Sequence, residues 1–286
     1  MKRFNLLEVD DAHAGHVDLE LYFYTEVLKL KSLHFGYWTQ GQDPTLGNFS
    51  AAQATYARTL IEMIPDGVET VLDVGCGAGD NSREMAAAGF AVTAISPDAE
   101  HGKFIQDTPG VDFVRTKIED LDTHRKFDLV LMSECQNYFD RDLALGKCLE
   151  ILEPGGYLLI SGMFRRSNTE DLDYMYVGSE YIAAAKSAGF ELLEQVDITA
   201  ETVPTVEMFR NAYHDHLVPA VGLVSHYVNN ISRWERILVR TFFGRQIRRL
   251  AGVREFIEQR VDSERFVTFA SYERLLFRKK GPIHGG

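Results

Sequence analysis

Val71-Leu-Asp-Val-Gly-Cys-Gly-Ala-Gly-Asp80 decides how the rest of the chain reads. Val71, Leu72 and Val74 form the apolar run of a short buried strand, and Gly75, Gly77 and Gly79 follow at two-residue spacing. A helix-like segment, 80–88, then closes at Gly89. Strand, glycine turn and helix is the nucleotide-binding arrangement of open α/β sheets, where glycines admit a ligand to the backbone beside helix N-terminal amides. A dinucleotide turn spaces its glycines G-x-G-x-x-G and leaves the helix N-terminus uncompensated for pyrophosphate. Here the third glycine comes one residue early, and Asp80 holds the helix start. A carboxylate there repels a diphosphate but tolerates a ligand carrying an amine and a sulfonium. Asp73, at the strand end, adds a second acid suited to an amino group.

The segments after the turn alternate as a doubly wound sheet requires. Residues 91–95 read as a second strand, 99–107 as a helix, 111–116 as a third strand and 127–133 as a fourth. A helix over 142–152 leads to the Pro154-Gly-Gly156 turn and a fifth strand, 157–161. The helix 179–188, closed by Gly189, precedes a sixth strand at 190–198, and the last strand is 266–277. Upstream, 19–31 reads as a helix and 33–38 as a dense aromatic loop, followed by a helix from a Ser50 cap to Ile64. Between the last two strands lies an insertion, 199–264, with helical periodicity in Val206, Phe209, Tyr213 and Leu217 and again through Trp234. It reads as a helical lid. The divisions expected are therefore 1–49 as a cap segment, 50–198 as the α/β core, 199–264 as the lid, and 265–286 as the last strand and tail.

Composition narrows the function classes. A 286-residue chain with 45% apolar and 25% charged residues is that of an ordinary globular protein. A net charge of −12 argues against a nucleic-acid partner, because phosphate binding wants a basic face. The three cysteines have no disulfide or zinc spacing and suit a reducing, cytoplasmic setting. The first residues lack the apolar run of a secretion signal, and no stretch approaches the ~18 apolar residues of a membrane span. The expected partners are thus a small molecule and neither membrane nor nucleic acid, with a homodimer left open.

Asp73-x-Gly75-x-Gly77-x-Gly79 resembles motif I of the class I S-adenosylmethionine (SAM) methyltransferases. The Phe127-Asp-Leu-Val strand and the Leu152-Glu-Pro-Gly-Gly156 turn match further landmarks of that family. Leu33-His-Phe-Gly-Tyr-Trp38 is similar to the segment preceding motif I in methyltransferases of sarcosine, sterol, sugar and natural-product type. The resemblance implies a Rossmann-like seven-stranded sheet of order 3-2-1-4-5-7-6, with strand 7 antiparallel and the helical lid between strands 6 and 7. It also implies SAM as cofactor, S-adenosylhomocysteine as product, and in-line methyl transfer to O, N or C of a small metabolite. A cyclopropane-forming or other C-methylating relative and a non-catalytic SAM-binding regulator stay open.

On that resemblance the cofactor-binding set is Tyr37, Asp73, Gly75, Gly77, Gly79, Ser96, Asp98, Ile118, Glu119 and Ser133. Ser96 stands where the family has an acid for the ribose hydroxyls. It makes one such bond and Asp98 the rest, unless the pair only caps the next helix. Lys117 replaces the acid expected beside adenine, which shifts the acceptor to Glu119 or a backbone carbonyl and leaves Ile118 to pack on the ring. Tyr37 is expected at the methionine end, and the aromatic loop is either a wall that favours a sulfonium or a plain core cluster. No universal base is required, because positioning supplies much of the acceleration. For an oxygen nucleophile the candidates are His34, Glu134 and His214, and Glu134 reads equally well as a hydrogen-bonding residue. His214 and His216 lack metal-binding spacing, and no metal is expected. The insertion's nine arginines and no lysine fit either an anionic acceptor or solvated helices with Arg–Glu pairs.

Overall fold

The computed structural model describes Ser32, 34–168, 172–219, isolated positions between 222 and 234, and 262–281. The helix expected at 19–31 and the greater part of the insertion lie outside the described residues.

In chain order the elements are α1 (Leu46–Ile61), β1 (Thr70–Val74), α2 (Asp80–Ala87), β2 (Ala91–Ile95), α3 (Ala99–Ile105), β3 (Val111–Val114) and β4 (Phe127–Ser133). They continue with α4 (Arg141–Ile151), β5 (Leu152–Arg165), α5 (Gly178–Ala188), β6 (Phe190–Asp197), α6 (Thr199–Ala212), a π-helical turn (Tyr213–Leu217), α7 (Ser263–Phe269) and β7 (Ala270–Lys279). The seven strands form one sheet, β3-β2-β1-β4-β5-β7-β6. Pairing is parallel from β3 through β5. β7 runs antiparallel to both β5 and β6. The expected seven-stranded sheet, its strand order and its antiparallel strand 7 are the observed ones.

Both faces are buried, so each central strand sends alternate side chains to two different cores. Val71, Leu129, Leu131, Leu159 and Leu276 pack with Tyr56 and Leu60 of α1, Met85 of α2 and Ile105 of α3. Leu72, Val130, Met132, Leu158, Ile160, Leu275 and Phe277 pack on the other face, with Cys148 of α4 and Tyr181 of α5. Each fully buried side chain of this size contributes about 1.5–3 kcal/mol of hydrophobic stabilisation.

Three boundaries differ from expectation. α1 begins at Leu46 behind Thr45, which makes no side-chain cap bond, so Ser50 sits inside the helix and does not start it. β5 begins at Leu152 and runs to Arg165, taking in Pro154-Gly-Gly156 at an irregularity in its pairing with β4, where Gly155 has φ +77°, and it pairs far past Ser161 with β7. Residues 266–269, expected as strand, are the end of α7. That helix is capped by Asp262, whose side chain accepts from Arg265 N.

The turn after β1 is the tightest place in the sheet. Gly75, Gly77 and Gly79 all have left-handed φ, +68°, +54° and +81°. A Cβ on Gly79 would stand 1.7 Å from Cγ2 of Ile105, whereas one on Gly41 (φ +83°) meets nothing within 4 Å. Alanine in a left-handed conformation costs about 1–2 kcal/mol, and forced overpacking adds about 1–3 kcal/mol. Gly79→Ala is therefore expected to lower the unfolding free energy by about 2 kcal/mol more than Gly41→Ala in urea denaturation. Equal losses would mean that Ile105 moves aside freely.

Candidate active site

The carboxyl ends of β1, β2 and β4 open onto one side of the sheet, where open α/β folds place their ligands. The glycine turn hangs from β2, with Gly75 N and Cys76 N both donating to Ile95 O, at 2.9 and 3.2 Å. A Cβ on Gly75 would lie 2.7 Å from Cβ of Cys135. Asp73 is buried and accepts a hydrogen bond from the Ser82 hydroxyl. Burial pushes its carboxyl up to about 6, helped by Asp80 and opposed by Ser82. In the first turn of α2, Asn81 keeps its Oδ1 buried without a protein partner.

The aromatic loop 34–38 lies over this turn and has no regular secondary structure. Gln53 of α1 donates to His34 O at 2.7 Å, and Ala52 O accepts from Tyr37 N at 2.9 Å. Thr205 of α6 accepts from both Gly36 N (3.1 Å) and the Trp38 indole (2.8 Å). Phe35 N donates to Glu134 Oε1 at 2.8 Å. The Tyr37 ring is covered by the guanidinium of Arg274, 5.6 Å from its centroid.

His34 is the charged member of the loop. Its Nε2 lies 2.9 Å from Asp80 Oδ2, an ion-pair contact out of line for a hydrogen bond, and its ring stacks on Tyr56 at 4.4 Å. Burial pulls its pKa down, but Asp80 and Glu134 outweigh that, and the net direction is up. More of it is therefore charged at any given pH, which suits a clasp on Asp80 and works against a role as base.

Glu134 stands at the end of β4 with a φ of +57°, rare for a residue with a Cβ. Its carboxylate also accepts a hydrogen bond from the Tyr272 hydroxyl, whose oxygen is 3.0 Å from that of Tyr56. Tyr56 in turn is 2.7 Å from Ser161 Oγ and 3.1 Å from Ser133 Oγ. The sequence reading missed Tyr56, Tyr272 and Arg274. Each reaches the site only through pairing or packing across the sheet, and no local motif marks them.

Other expected residues are placed less directly. Ser96 is buried, with Oγ 2.8 Å from His101 Nδ1 and accepting from Asp98 N. Asp98 caps α3 by accepting from Glu100 N at 2.8 Å. In this structure both therefore do the capping work that was the alternative to ribose binding. Ile118 packs in the core against the far face of the sheet, and Glu119 is half-buried beside it. His214 is exposed on the π-helical turn, edge-on to Tyr213. Cys135 is buried, donates to Val74 O and has its thiol held well above the ordinary pKa by burial, so it is no nucleophile. Eight of the insertion's nine arginines lie outside the described residues, and Arg210 donates to Ser263 Oγ at 3.4 Å. Among the described residues no cluster of His, Cys, Asp or Glu could hold a metal, and no helix is long and apolar enough to cross a membrane. A basic cleft of about 410 Å³, between Pro154, Glu191 and Arg278, sits at the opposite end of the strands.

A family model described as a methyltransferase domain matches residues 71–156. A ubiquinone biosynthesis O-methyltransferase from Xanthomonas euvesicatoria pv. vesicatoria (strain 85-10) is 30% identical over 177 residues, 59% of this chain and 72% of that protein. The chain spans about half the length of the first curated relatives it matches. Among solved structures, the [4+2]-cyclase SpnF aligns with a TM-score of 0.66 at 20% identity, over 92% of this chain and 95% of that one. A geranyl diphosphate C-methyltransferase from Streptomyces coelicolor A3(2), solved with S-adenosylhomocysteine, aligns with a TM-score of 0.62 at 14% identity, over 86% and 90%. At these identities the structural likeness speaks for the fold.

The His34–Asp80 pair makes stability depend on pH. A histidine whose folded pKa exceeds its ordinary 6.5 contributes stability that is complete below 6.5 and fades as pH rises through the folded value. Asp80→Asn removes that contribution. Urea denaturation should show Asp80→Asn further below the wild type at pH 5.5 than at pH 8.5. A gap that does not change with pH would assign Asp80's contribution to Arg83, its other ion-pair partner at 3.2 Å.

Proposed function

The chain belongs to the class I SAM-dependent methyltransferases, and from that membership we propose that it moves a methyl group from SAM to a small-molecule acceptor. The observation that carries the reading is the turn 75–79. Three left-handed glycines, two of them with no room for a Cβ, form a backbone cradle, and Asp73 and Asp80 stand beside it. Two acids and the partnerless Asn81 oxygen fit a cationic ligand rather than a diphosphate. When bound, SAM supplies an electrophilic methyl on a sulfonium.

The protein's own work is holding, drying and proton removal. Gly75, Gly77 and Gly79 leave space against the backbone, while Asp73, Asp80 and Asn81 suit an ammonium group. Loop 34–38 roofs the cradle with aromatic surface, which favours a sulfonium and excludes water. Glu134, half-buried at the end of β4 beside that roof, is the base for an acceptor that carries a proton on oxygen or nitrogen. Ser133, Tyr37, Ile118 and Glu119 complete the cofactor set in this reading. Ser96 and Asp98 join it only by exchanging their present bonds for the ribose hydroxyls. The nine arginines of the insertion support an acceptor with an acid group. The absence of disulfides among the described cysteines is in keeping with a reducing, cytoplasmic setting.

Calorimetry with SAM tests the reading. The wild type should bind it, and Gly77→Leu should lose at least a hundredfold in affinity, about 2.7 kcal/mol, while its circular dichroism stays that of a folded protein. Undiminished affinity in the folded variant would remove the turn from the cofactor site.

A further inference from the structure

We infer that Tyr272 of β7 is a positioning residue, whose hydroxyl aims the Glu134 carboxylate beneath the aromatic loop, and that Tyr56 of α1 sets how fully that hydroxyl is given to Glu134. The inference rests on the reading of Glu134 as the base. Its backbone is the first observation. Glu134 is held in a left-handed conformation, with its N–H donating to Ser161 O at 2.7 Å. A side chain placed this way needs outside bonds to keep it there, and such outliers gather at functional sites.

Those bonds form a directed row. Each hydroxyl carries one proton and an ionised carboxylate only accepts. The Tyr272 hydroxyl donates toward Glu134 Oε1 and also, at 3.0 Å, toward the Tyr56 oxygen, so two acceptors share its one proton. Tyr56 in turn donates to Ser161 Oγ at 2.7 Å and lies 3.1 Å from Ser133 Oγ. The row therefore runs from Tyr272 away from Glu134, and Tyr56 competes with Glu134 for the Tyr272 proton. The charge on one carboxylate is thereby tied to hydroxyls on β4, β5, β7 and α1.

The groups around the row favour the charged state. His34 faces Glu134 from the loop, and Asp80 of α2 and Glu134 together raise its pKa against the opposing effect of burial. Arg274 of β7 is buried, has no ion pair among the described residues, and lies 5.0 Å from the Tyr56 ring centroid while donating to Tyr56 O and Thr59 Oγ1. Burial and the Glu134 charge raise the pKa of both phenols, so both keep their protons to donate.

The test uses cofactor-free protein. Carboxyl groups of glutamate are labelled with 13C, and Glu134 is assigned by its loss in Glu134→Gln. Tyr272→Phe keeps the ring and removes the donor, and Tyr56→Phe breaks only the second link. The Glu134 titration midpoint should move to higher pH in Tyr272→Phe, which removes its donor, and to lower pH in Tyr56→Phe, which leaves the Tyr272 proton to Glu134 alone, with the Phe35 amide exchanging faster in the first. A midpoint unchanged in both variants, even with lowered melting temperatures, would reduce the row to a structural contact and overturn the inference. Should Tyr272→Phe fail to fold, Tyr56→Phe decides alone by the same criterion. SAM calorimetry on the wild type is independent of this readout, so failure of the functional reading and failure of the row are told apart.

Discussion

Backbone that belongs to no helix or sheet must find its hydrogen bonds elsewhere, and burying it without them costs about 1–3 kcal/mol per orphaned group. Residues 34–38 meet that constraint with backbone hydrogen bonds to α1, the end of β4 and α6, while side-chain contacts tie them to α2 and β7. The partners come from most of the chain's length, so the loop is assembled only when the sheet is complete. Thr205, which accepts from Gly36 N and the Trp38 indole, also ties the start of the insertion to the same loop. Roof, glycine turn and strand ends are therefore one mechanical unit.

The glycine turn supplies the other half of the site. Its three left-handed residues are held in place by Ile95 of β2, Ile105 of α3 and Cys135 after β4. The acids at either end, Asp73 and Asp80, are both engaged without a ligand, one by Ser82 and the other by His34 and Arg83. A cationic ligand enters by sharing these carboxylates. That keeps the site ordered in its absence, at the cost of competition when it arrives.

Much of the fold was legible because period-2 apolar runs and glycine punctuation are local signals. β1 to β4 and β6 were read within a residue or two, and the sheet order came with the resemblance carried by residues 71–80. The misread places had competing local signals. Ser50 is a better capping residue than Thr45 in isolation, yet α1 begins at Leu46 because Phe49 is wanted in the core. Phe266, Val267 and Phe269 look like strand, and the overlooked clue was Asp262 at the cap of α7. In the site, Glu134 and Tyr37 were visible from their positions after β4 and in the aromatic loop. Tyr56, Tyr272 and Arg274 were not, because an interior Tyr or Arg on a helix or strand reads as packing until pairing shows what it faces.

The central claim is that the turn 75–79 and the loop 34–38 form one site for SAM. Amide hydrogen exchange with and without S-adenosylhomocysteine tests it most directly, since protection reports where the backbone is held. The account predicts added protection in both segments together, at 34–38 and at 75–81, with β6 and α5 unchanged. Protection confined to other parts of the chain, or a turn that tightens while the loop exchanges as before, would contradict it.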